Sequence, residues 1–238
     1  MKGYFIAGTD TGVGKTEIAR ALCTLLRERG YRPLALKPFE TGCALDAPED
    51  ALALREACGS EQALDDLCPY RFLLPLAPLV AADAEGCTVD LLRIEGLVAR
   101  AAAPIVVEAA GGLLVPIARA ALSLEEVDPA DRGPARALIT NLDLAVRLGL
   151  PVVLVGRAGL GTLNHCALSV EALERRGLEV AAVVLNRVLP DDPSVETNAR
   201  WVSELTGRRV LGPTPFVQSR VERPRALAPF VDSLVPRR

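Results

Sequence analysis

One glycine-rich run constrains this chain more than any other feature. It reads GTDTGVGKT at residues 8–16 and lies between an apolar segment at residues 4–7 and an amphipathic segment at residues 16–29. A strand, a glycine-rich turn and a helix in this order form the setting that a phosphate-binding loop requires. Glycine lets the backbone wrap a phosphate chain, and the helix N-terminus directs free N–H groups at the anion. The run predicts nucleotide binding, although its outer glycines are one residue farther apart than in the common form.

Short apolar runs alternate with amphipathic runs along the rest of the chain. Continuous Val, Ile and Leu runs between helices favour a parallel sheet that is covered on both faces. The sequence thus predicts a doubly wound, mostly parallel α/β fold of the P-loop type, with ligands beyond the carboxyl ends of the strands. We expect a single domain over residues 1–238, an irregular proline-rich segment at residues 69–78 and a mobile surface loop at residues 118–136. The predicted strands cover residues 4–7, 33–37, 105–107, 151–155, 180–185 and 210–211, and the predicted helices cover residues 16–29, 50–57, 88–102 (with Thr88 as a cap), 138–148, 162–176 and 195–205.

Composition excludes several classes of protein. Apolar residues make up 50% and charged residues 24% of the chain, which is an ordinary globular balance. The net charge is −3 without an extended basic cluster, which argues against nucleic-acid binding. No apolar run approaches the roughly 20 residues that a membrane helix needs, and the N-terminal run is too short for a signal peptide. The six cysteines form no CxxC pair and indicate reduced thiols. We therefore expect a cytoplasmic protein without nucleic-acid or membrane partners.

Lysine is unusually scarce. Of the 27 basic residues, only Lys2, Lys15 and Lys37 are lysine. Arginine fills the generic cationic positions, so a retained lysine can mark a place where arginine does not fit. Lysine is a compact point charge, whereas arginine is a wide planar fork. Lys15 and Lys37 are therefore candidate catalytic residues, the alternatives being chance placement and, for Lys37, a plain surface charge at a strand end.

Four residues are candidates for holding phosphate and its metal ion. Lys15 can reach the β- and γ-phosphates, and the Thr16 hydroxyl can bind magnesium. Glu108 follows a buried strand, where a carboxylate near the phosphates would bind the same ion. Asp50 could reach that ion from a helix start, or could be an ordinary carboxylate at a helix N-terminus.

The residues after the strand at 180–185 bear on the choice of nucleotide. They read NRVL from Asn186 onward. Asn186 could hydrogen-bond a base edge, but the carboxylate that would select guanine is absent, which favours ATP. Asp10 stands where partition ATPases carry a second lysine, which counts against that group.

A second motif, KPFETG at residues 37–42, makes the interpretation specific. It is followed in order by Asp50, VEAAGG at residues 107–112, GTLNH at residues 161–165, Asn186 and LGPTP at residues 211–215. Together with the long phosphate loop, this series resembles the dethiobiotin synthetases, the ATP-dependent ligases of biotin biosynthesis. The resemblance runs from about residue 3 to residue 225, and the combination is far more specific than any single motif.

The resemblance implies a reaction and its partners. One amine of diaminononanoate captures carbon dioxide as a carbamate, which attacks the γ-phosphate of ATP. The second amine then closes a cyclic urea and expels phosphate. The resemblance also implies magnesium as a cofactor and a homodimer as the assembly.

Matching positions imply a role for each site residue. Lys37 would lie between the carbamate and the γ-phosphate, with Lys15 and Thr11 as the other catalytic groups. Thr16, Asp50 and Glu108 would hold magnesium. The substrate would contact Lys37, Thr41 and, across the dimer interface, the helix start formed by Gly161, Thr162, Leu163 and Asn164. The nucleotide would contact Gly12, Val13, Gly14, Lys15, Thr16, Glu17, Asp50, Glu108, Ala109, Ala110, Gly111, Asn186, Pro215, Phe216, Val217 and Glu222.

Three residue departures and two rival interpretations accompany the resemblance. Gly12 stands where an acidic residue can occur in the family's loop, Ala109 replaces a glycine of the family motif, and Asn198 occupies the region where some members place an aromatic residue against the substrate tail. The first rival is an amidoligase of the cobyrinate synthetase type, which needs an additional glutaminase domain that 238 residues do not accommodate. The second is a non-enzymatic, nucleotide-switched protein of the partition type.

Overall fold

Strands and helices alternate along most of the chain in the computed structural model, which describes residues 2–120, 138–187 and 192–237. The strands are β1 (Gly3–Gly8), β2 (Leu34–Leu36), β3 (Phe39–Thr41), β4 (Tyr70–Phe72), β5 (Ile105–Glu108), β6 (Pro116–Arg119), β7 (Leu138–Thr140), β8 (Val152–Arg157), β9 (Val180–Asn186) and β10 (Val210–Leu211). The helices are α1 (Lys15–Glu28), α2 (Glu49–Cys58), α3 (Leu64–Leu67), α4 (Pro78–Ala84), α5 (Leu91–Ala99), α6 (Asn141–Leu148), α7 (Thr162–Arg175), α8 (Val195–Thr206) and α9 (Arg223–Val231), followed by a 3-10 turn at Asp232–Leu234.

Six strands form one parallel sheet in the order β10-β9-β8-β1-β5-β2. Strand β1 is central, between β5 and β8. Two small sheets lie outside it, the parallel pair β3–β4 and the antiparallel pair β6–β7. The predicted doubly wound α/β fold is confirmed.

Side-chain alternation along the strands divides the core into two layers. In β1, Phe5 and Ala7 join the layer that α5, α6, α7 and α8 cover, whereas Ile6 joins the layer under α1, α2 and α9. Successive side chains of a strand point to opposite faces, so a strand that is buried on both faces reads as a continuous apolar run. This explains why continuous apolar segments predict the strands of the sheet.

Three segments differ from their predicted form. Residues 69–78 contain strand β4, which is paired with β3. The helix expected at 88–102 spans only Leu91–Ala99, because Asp90 rather than Thr88 caps it by accepting a hydrogen bond from Leu92 N. The helix expected at 138–148 begins at Asn141, because Thr140 and Asp143 form a reciprocal capping box that ends strand β7.

The parallel arrangement brings several strand ends to one edge of the sheet. Gly8, Glu108 and the residue after Leu36 all lie at the carboxyl end of neighbouring strands. The expected mobile loop at 118–136 overlaps β6 only at its start, and residues 121–136 lie outside the described residues. Within the described ranges, no helix has both the length and the apolar character that a membrane crossing requires.

Candidate active site

Buried charge is concentrated in one place. In the part of the chain that the structure describes, the buried charged residues are Lys15, Lys37, Glu40 and Glu108, each no more than 7% exposed. Burying a charge is costly unless it is paired, so this concentration marks a functional site. All four line a cavity of about 330 Å³ at the carboxyl edge of the sheet. Its lining residues are Thr11, Gly12, Gly14, Lys15, Thr16, Glu17, Lys37, Phe39, Glu40, Thr41, Asp50, Glu108, Ala109, Ala110 and Gly111.

The glycine-rich loop has the backbone that its sequence predicts. Gly12 and Gly14 adopt φ values of +72° and +94°, in the left-handed region that favours glycine. A side chain at Gly14 would place its Cβ 2.0 Å from Asn186 Nδ2. Asn186 Nδ2 donates to the Val13 carbonyl at 3.0 Å, and its Oδ1 accepts from Thr214 Oγ1 at 2.9 Å. Asn186 therefore supports the loop from the end of β9.

Lys15 folds back over the loop at the start of α1. Its Nζ donates to the Asp10 carbonyl at 2.9 Å. A Cβ at Gly8 would lie 2.8 Å from Lys15 Cδ, so a side chain at residue 8 would force the lysine stem to shift. Burial lowers the pKa of Lys15 to about 8, against the opposing attraction of Glu108. The Asp10 carboxylate meanwhile pairs with Arg157 at 3.2 Å, which ties the loop to β8.

Lys37 is held between two carboxylates. Its Nζ lies 2.6 Å from Glu108 Oε1 and 2.8 Å from Asp50 Oδ2. Burial alone would lower the pKa of Lys37, but the attraction of Glu108 and Asp50 and their hydrogen bonds raise it above its ordinary value. Burial likewise opposes ionisation of Asp50, yet the Lys37 ammonium and a hydrogen bond from Thr16 hold the pKa of Asp50 below its usual range. The alternative that Lys37 is a plain surface charge is wrong.

The surroundings of Glu108 match the requirements of a hard cation. Thr16 Oγ1 donates to Glu108 Oε1 at 2.8 Å. Glu108 Oε2 is buried and lacks a hydrogen-bond partner among the described residues. No three His, Cys, Asp or Glu side chains converge into a metal centre anywhere in the described ranges. Magnesium is commonly held by one or two carboxylates together with substrate phosphates, and the set Thr16, Asp50 and Glu108 fits that mode of binding.

Comparison with known proteins agrees with this site. A family model described as an AAA domain matches residues 2–223. The chain is 49% identical to the ATP-dependent dethiobiotin synthetase BioD of Anaeromyxobacter dehalogenans (strain 2CP-C), over 95% of this chain and 96% of the relative. It is 38% identical to the protein of the same name from Haloferax mediterranei (92% and 86% covered) and 36% identical to that from Thermodesulfovibrio yellowstonii (90% and 89% covered).

The chain belongs to the ATP-dependent dethiobiotin synthetase family. This confirms the resemblance that the motif series of the sequence indicates. The family model spans residues 2–223, so it includes the phosphate loop, the segment around Lys37 and the region of Asn186.

Several residues that a dethiobiotin synthetase would use for the base lie outside the cavity. Pro215 and Phe216 are exposed, Val217 is half-buried and Glu222 is exposed. This loop is nevertheless tied to the start of α1. Arg223 donates to the Val217 carbonyl at 2.8 Å and lies 3.4 Å from Glu17.

The helix start that a dethiobiotin synthetase would use for the substrate carboxylate also lies apart from the cavity lining. Gly161 adopts φ +90° before α7. Thr162 is buried with its hydroxyl 3.3 Å from Cys166 Sγ, Leu163 is half-buried and Asn164 is exposed. Asn198 supports the preceding turn, because its Nδ2 donates to the Ala158 carbonyl at 2.7 Å and to the Gly159 carbonyl at 3.1 Å. The Asn198 side-chain amide is therefore used for hydrogen bonds within the protein.

Sequence reasoning missed Glu40. Its Oε1 accepts from Asp50 N at 3.0 Å and its Oε2 from Ala51 N at 2.9 Å. Burial raises the pKa of Glu40, although both backbone hydrogen bonds oppose the rise. The only signal in the sequence is an acidic residue beside Thr41 in the KPFETG motif, and its partners lie in an element that follows later in the chain.

Proposed function

We infer that this chain is an ATP-dependent dethiobiotin synthetase, a ligase of biotin biosynthesis that closes a cyclic urea on diaminononanoate with carbon dioxide. The observation that carries the inference is the buried Lys37 ammonium beside the phosphate loop, 2.6 Å from Glu108. The reaction gathers several negative charges, and preorganised cations in a buried site stabilise such charge without reorganisation.

Three bond changes make up the proposed reaction. One substrate amine adds to carbon dioxide and loses a proton, which gives a carbamate. A carbamate oxygen attacks the γ-phosphorus of ATP, and the bond to the bridging oxygen breaks, which releases ADP. The second amine attacks the carbamoyl carbon and loses a proton, the carbon–oxygen bond to phosphate breaks, and phosphate leaves with the bonding electrons.

The cavity supplies a role for each group in these steps. Lys37 would hold the carbamate and γ-phosphate oxygens together, and Lys15 would neutralise the β- and γ-phosphates. Thr11 would donate to a transferring oxygen. Its position opposite the loop after β5 supports this, because a Cβ at Gly111 would lie 3.4 Å from Thr11 Oγ1. Thr41, which is half-buried in the cavity wall, would bind the substrate head.

Magnesium would be held by Thr16, Asp50 and Glu108. The unpartnered Oε2 of the buried Glu108 supports this assignment. When bound, the ion supplies positive charge to the phosphate oxygens. The protein keeps the three ligands together, since Thr16 donates to Glu108 and also forms a hydrogen bond with Asp50.

The rest of both substrates would extend beyond this cavity. The adenosine would lie between Asn186 and residues 215–222, which Arg223 ties to α1. The substrate carboxylate would bind the N-terminus of α7 from a second copy of the chain. Residues 161–164 do not line the cavity, so this contact would require a homodimer, which sedimentation analysis would test.

The test follows both products of the reaction. Inorganic phosphate and acid-stable label from radioactive bicarbonate are measured with ATP, magnesium and diaminononanoate, and with each component omitted. We expect phosphate and label in equal amounts and only in the complete mixture, because a free carbamate loses its label in acid whereas a cyclic urea keeps it. Removal of magnesium with EDTA should abolish both signals.

Two outcomes would contradict the proposal. Equal phosphate release without the diamine would indicate a nucleotide-switched protein of the partition type. Phosphate release that requires an ammonia donor, with no label from bicarbonate in the product, would indicate an amidoligase. Lys2→Arg, at an exposed lysine, serves as the control for lysine substitutions and should behave as wild type.

A further inference from the structure

Glu40 has an unusual position for a buried carboxylate. It lies in the short strand β3, only three residues after Lys37, and is 7% exposed. Both of its oxygens are committed to backbone N–H groups of another element, Asp50 N and Ala51 N. Because each oxygen faces a backbone N–H group, the carboxylate is oriented toward the start of α2.

The helix that Glu40 contacts lacks a cap of its own. Helix α2 begins after Pro48, which makes no side-chain hydrogen bond to the first turn. The first N–H groups of a helix need partners from outside the helix. Glu40 supplies a charged acceptor from a different strand, where the helix dipole also favours a negative charge.

This contact fixes the backbone of a residue that faces the reaction centre. Asp50 is the second residue of α2, and its side chain is 47% exposed, so packing alone does not hold it. Its N–H is held by Glu40 while its Oδ2 lies 2.8 Å from Lys37 Nζ. Both members of the Lys37–Asp50 pair are thereby anchored to the same short segment, residues 37–40.

We propose that Glu40 is a positioning residue for the reaction. Glu40 sets the location of Asp50 and, through Asp50, the positions of the magnesium ion and the Lys37 ammonium. The proposal rests on the proposed function, since it needs Asp50 to act as a ligand. Residues that orient metal ligands typically change metal affinity or activity by about 10–100-fold when they are substituted. A residue that merely caps a helix changes stability without that effect.

The principal variant is Glu40→Gln, which keeps the shape but turns one acceptor oxygen into an NH₂ group that faces an N–H donor. Glu49→Gln is the matched control. It removes one negative charge from the first turn of α2, which Glu40 caps, at a side chain that is 84% exposed. Magnesium binding is measured by calorimetry with a non-hydrolysable ATP analogue present. Turnover and the thermal midpoint without metal are measured alongside it.

We expect Glu40→Gln to weaken magnesium binding about tenfold or more and to lower turnover, while Glu49→Gln changes neither. In the background of Asp50→Asn, the added Glu40→Gln substitution should have little further effect on magnesium binding, because the group through which it acts is already changed. If Glu40→Gln does not fold, Glu40→Asp, which keeps the charge but shortens the side chain, takes its place.

The outcomes separate this inference from the proposed function. A lower thermal midpoint with unchanged magnesium affinity in Glu40→Gln would make Glu40 a structural cap and overturn the inference alone. Full additivity with Asp50→Asn would do the same. Unchanged magnesium affinity and turnover in Asp50→Asn would remove Asp50 from the metal site, and would overturn the metal assignment together with the inference.

Discussion

Removal of the Lys37 ammonium from its ion pair with Glu108 should lower the stability of the fold strongly. Glu108 is 1% exposed, and Lys37 Nζ is its closest partner at 2.6 Å. In Lys37→Met, a side chain of similar length leaves the Glu108 carboxylate buried, with the Thr16 hydroxyl as its one remaining hydrogen-bond partner among the described residues. Breaking a buried ion pair in this way costs about 3–5 kcal/mol. For a chain of this size, that corresponds to a fall in the thermal midpoint of roughly 6–20 °C.

The Asp50 contact adds little to this figure. The Asp50 side chain is 47% exposed, and ion pairs in contact with solvent are worth about 0–1 kcal/mol. The raised pKa of Lys37 means that the lysine's contribution is fully present at neutral pH and is lost as the pH rises above the ordinary lysine value of 10.5. Urea denaturation at neutral pH therefore measures the whole effect.

Two further variants separate charge from shape. Lys37→Met with Glu108→Gln should recover at least about 2 kcal/mol relative to Lys37→Met alone, since no buried charge is left without a partner. Lys37→Arg should remain folded and bind ATP but lose most of its turnover, because the wider guanidinium does not fit at the reacting oxygen. A cost below about 1 kcal/mol for Lys37→Met, the value of an exposed pair, would refute the reasoning, as would full turnover of Lys37→Arg.

Four other substitutions test the loop and the fold. Lys15→Ala should weaken ATP binding at least about tenfold in calorimetry, as expected from the loss of a phosphate contact, and unchanged affinity would contradict the loop assignment. Gly14→Ala should abolish nucleotide binding, because its Cβ would lie 2.0 Å from Asn186 Nδ2. The Cβ of Gly12→Ala meets no atom within 4 Å, so this variant should lose only the roughly 1–2 kcal/mol that a left-handed backbone costs. Equal nucleotide binding by the two variants would refute this reasoning. Thr140→Ala should lower the free energy of unfolding by about 0.5–2 kcal/mol in urea denaturation through loss of the capping box, and it should leave turnover unchanged.

Local pattern predicted the six strands of the main sheet, because a strand that is buried on both faces has to be apolar throughout. It failed where pairing over distance decides the structure. Strands β3 and β4 are three residues each, and they form because Phe39 and Tyr70 stack at 5.5 Å while their backbones pair. No sequence pattern near Tyr70 indicates that Phe39 is its partner.

The same distinction applies to the candidate site. The phosphate loop, Lys37, Asp50 and Glu108 were predicted from motifs, and the structure brings them to one cavity. Glu40 was missed because its role depends on N–H groups 10 and 11 residues later, which lie within reach only when β3 and α2 are both in place. A side chain that accepts hydrogen bonds from the backbone of another element produces no characteristic residue spacing in the sequence.

The scarcity of lysine located the site better than any single motif, and the structure supplies the physical reason. No arginine is among the buried residues that the structure describes, whereas two of the three lysines are. Lys15 runs past Gly8, where even a single added carbon would lie 2.8 Å from its stem, and Lys37 ends between two carboxylates less than 3 Å away. A planar guanidinium could meet neither condition without moving the backbone or the carboxylates. Lys2 is exposed, and nothing in the structure explains why it is lysine. The two buried lysines of the described residues therefore stand where the site requires a narrow cation, while arginine fills most other cationic positions.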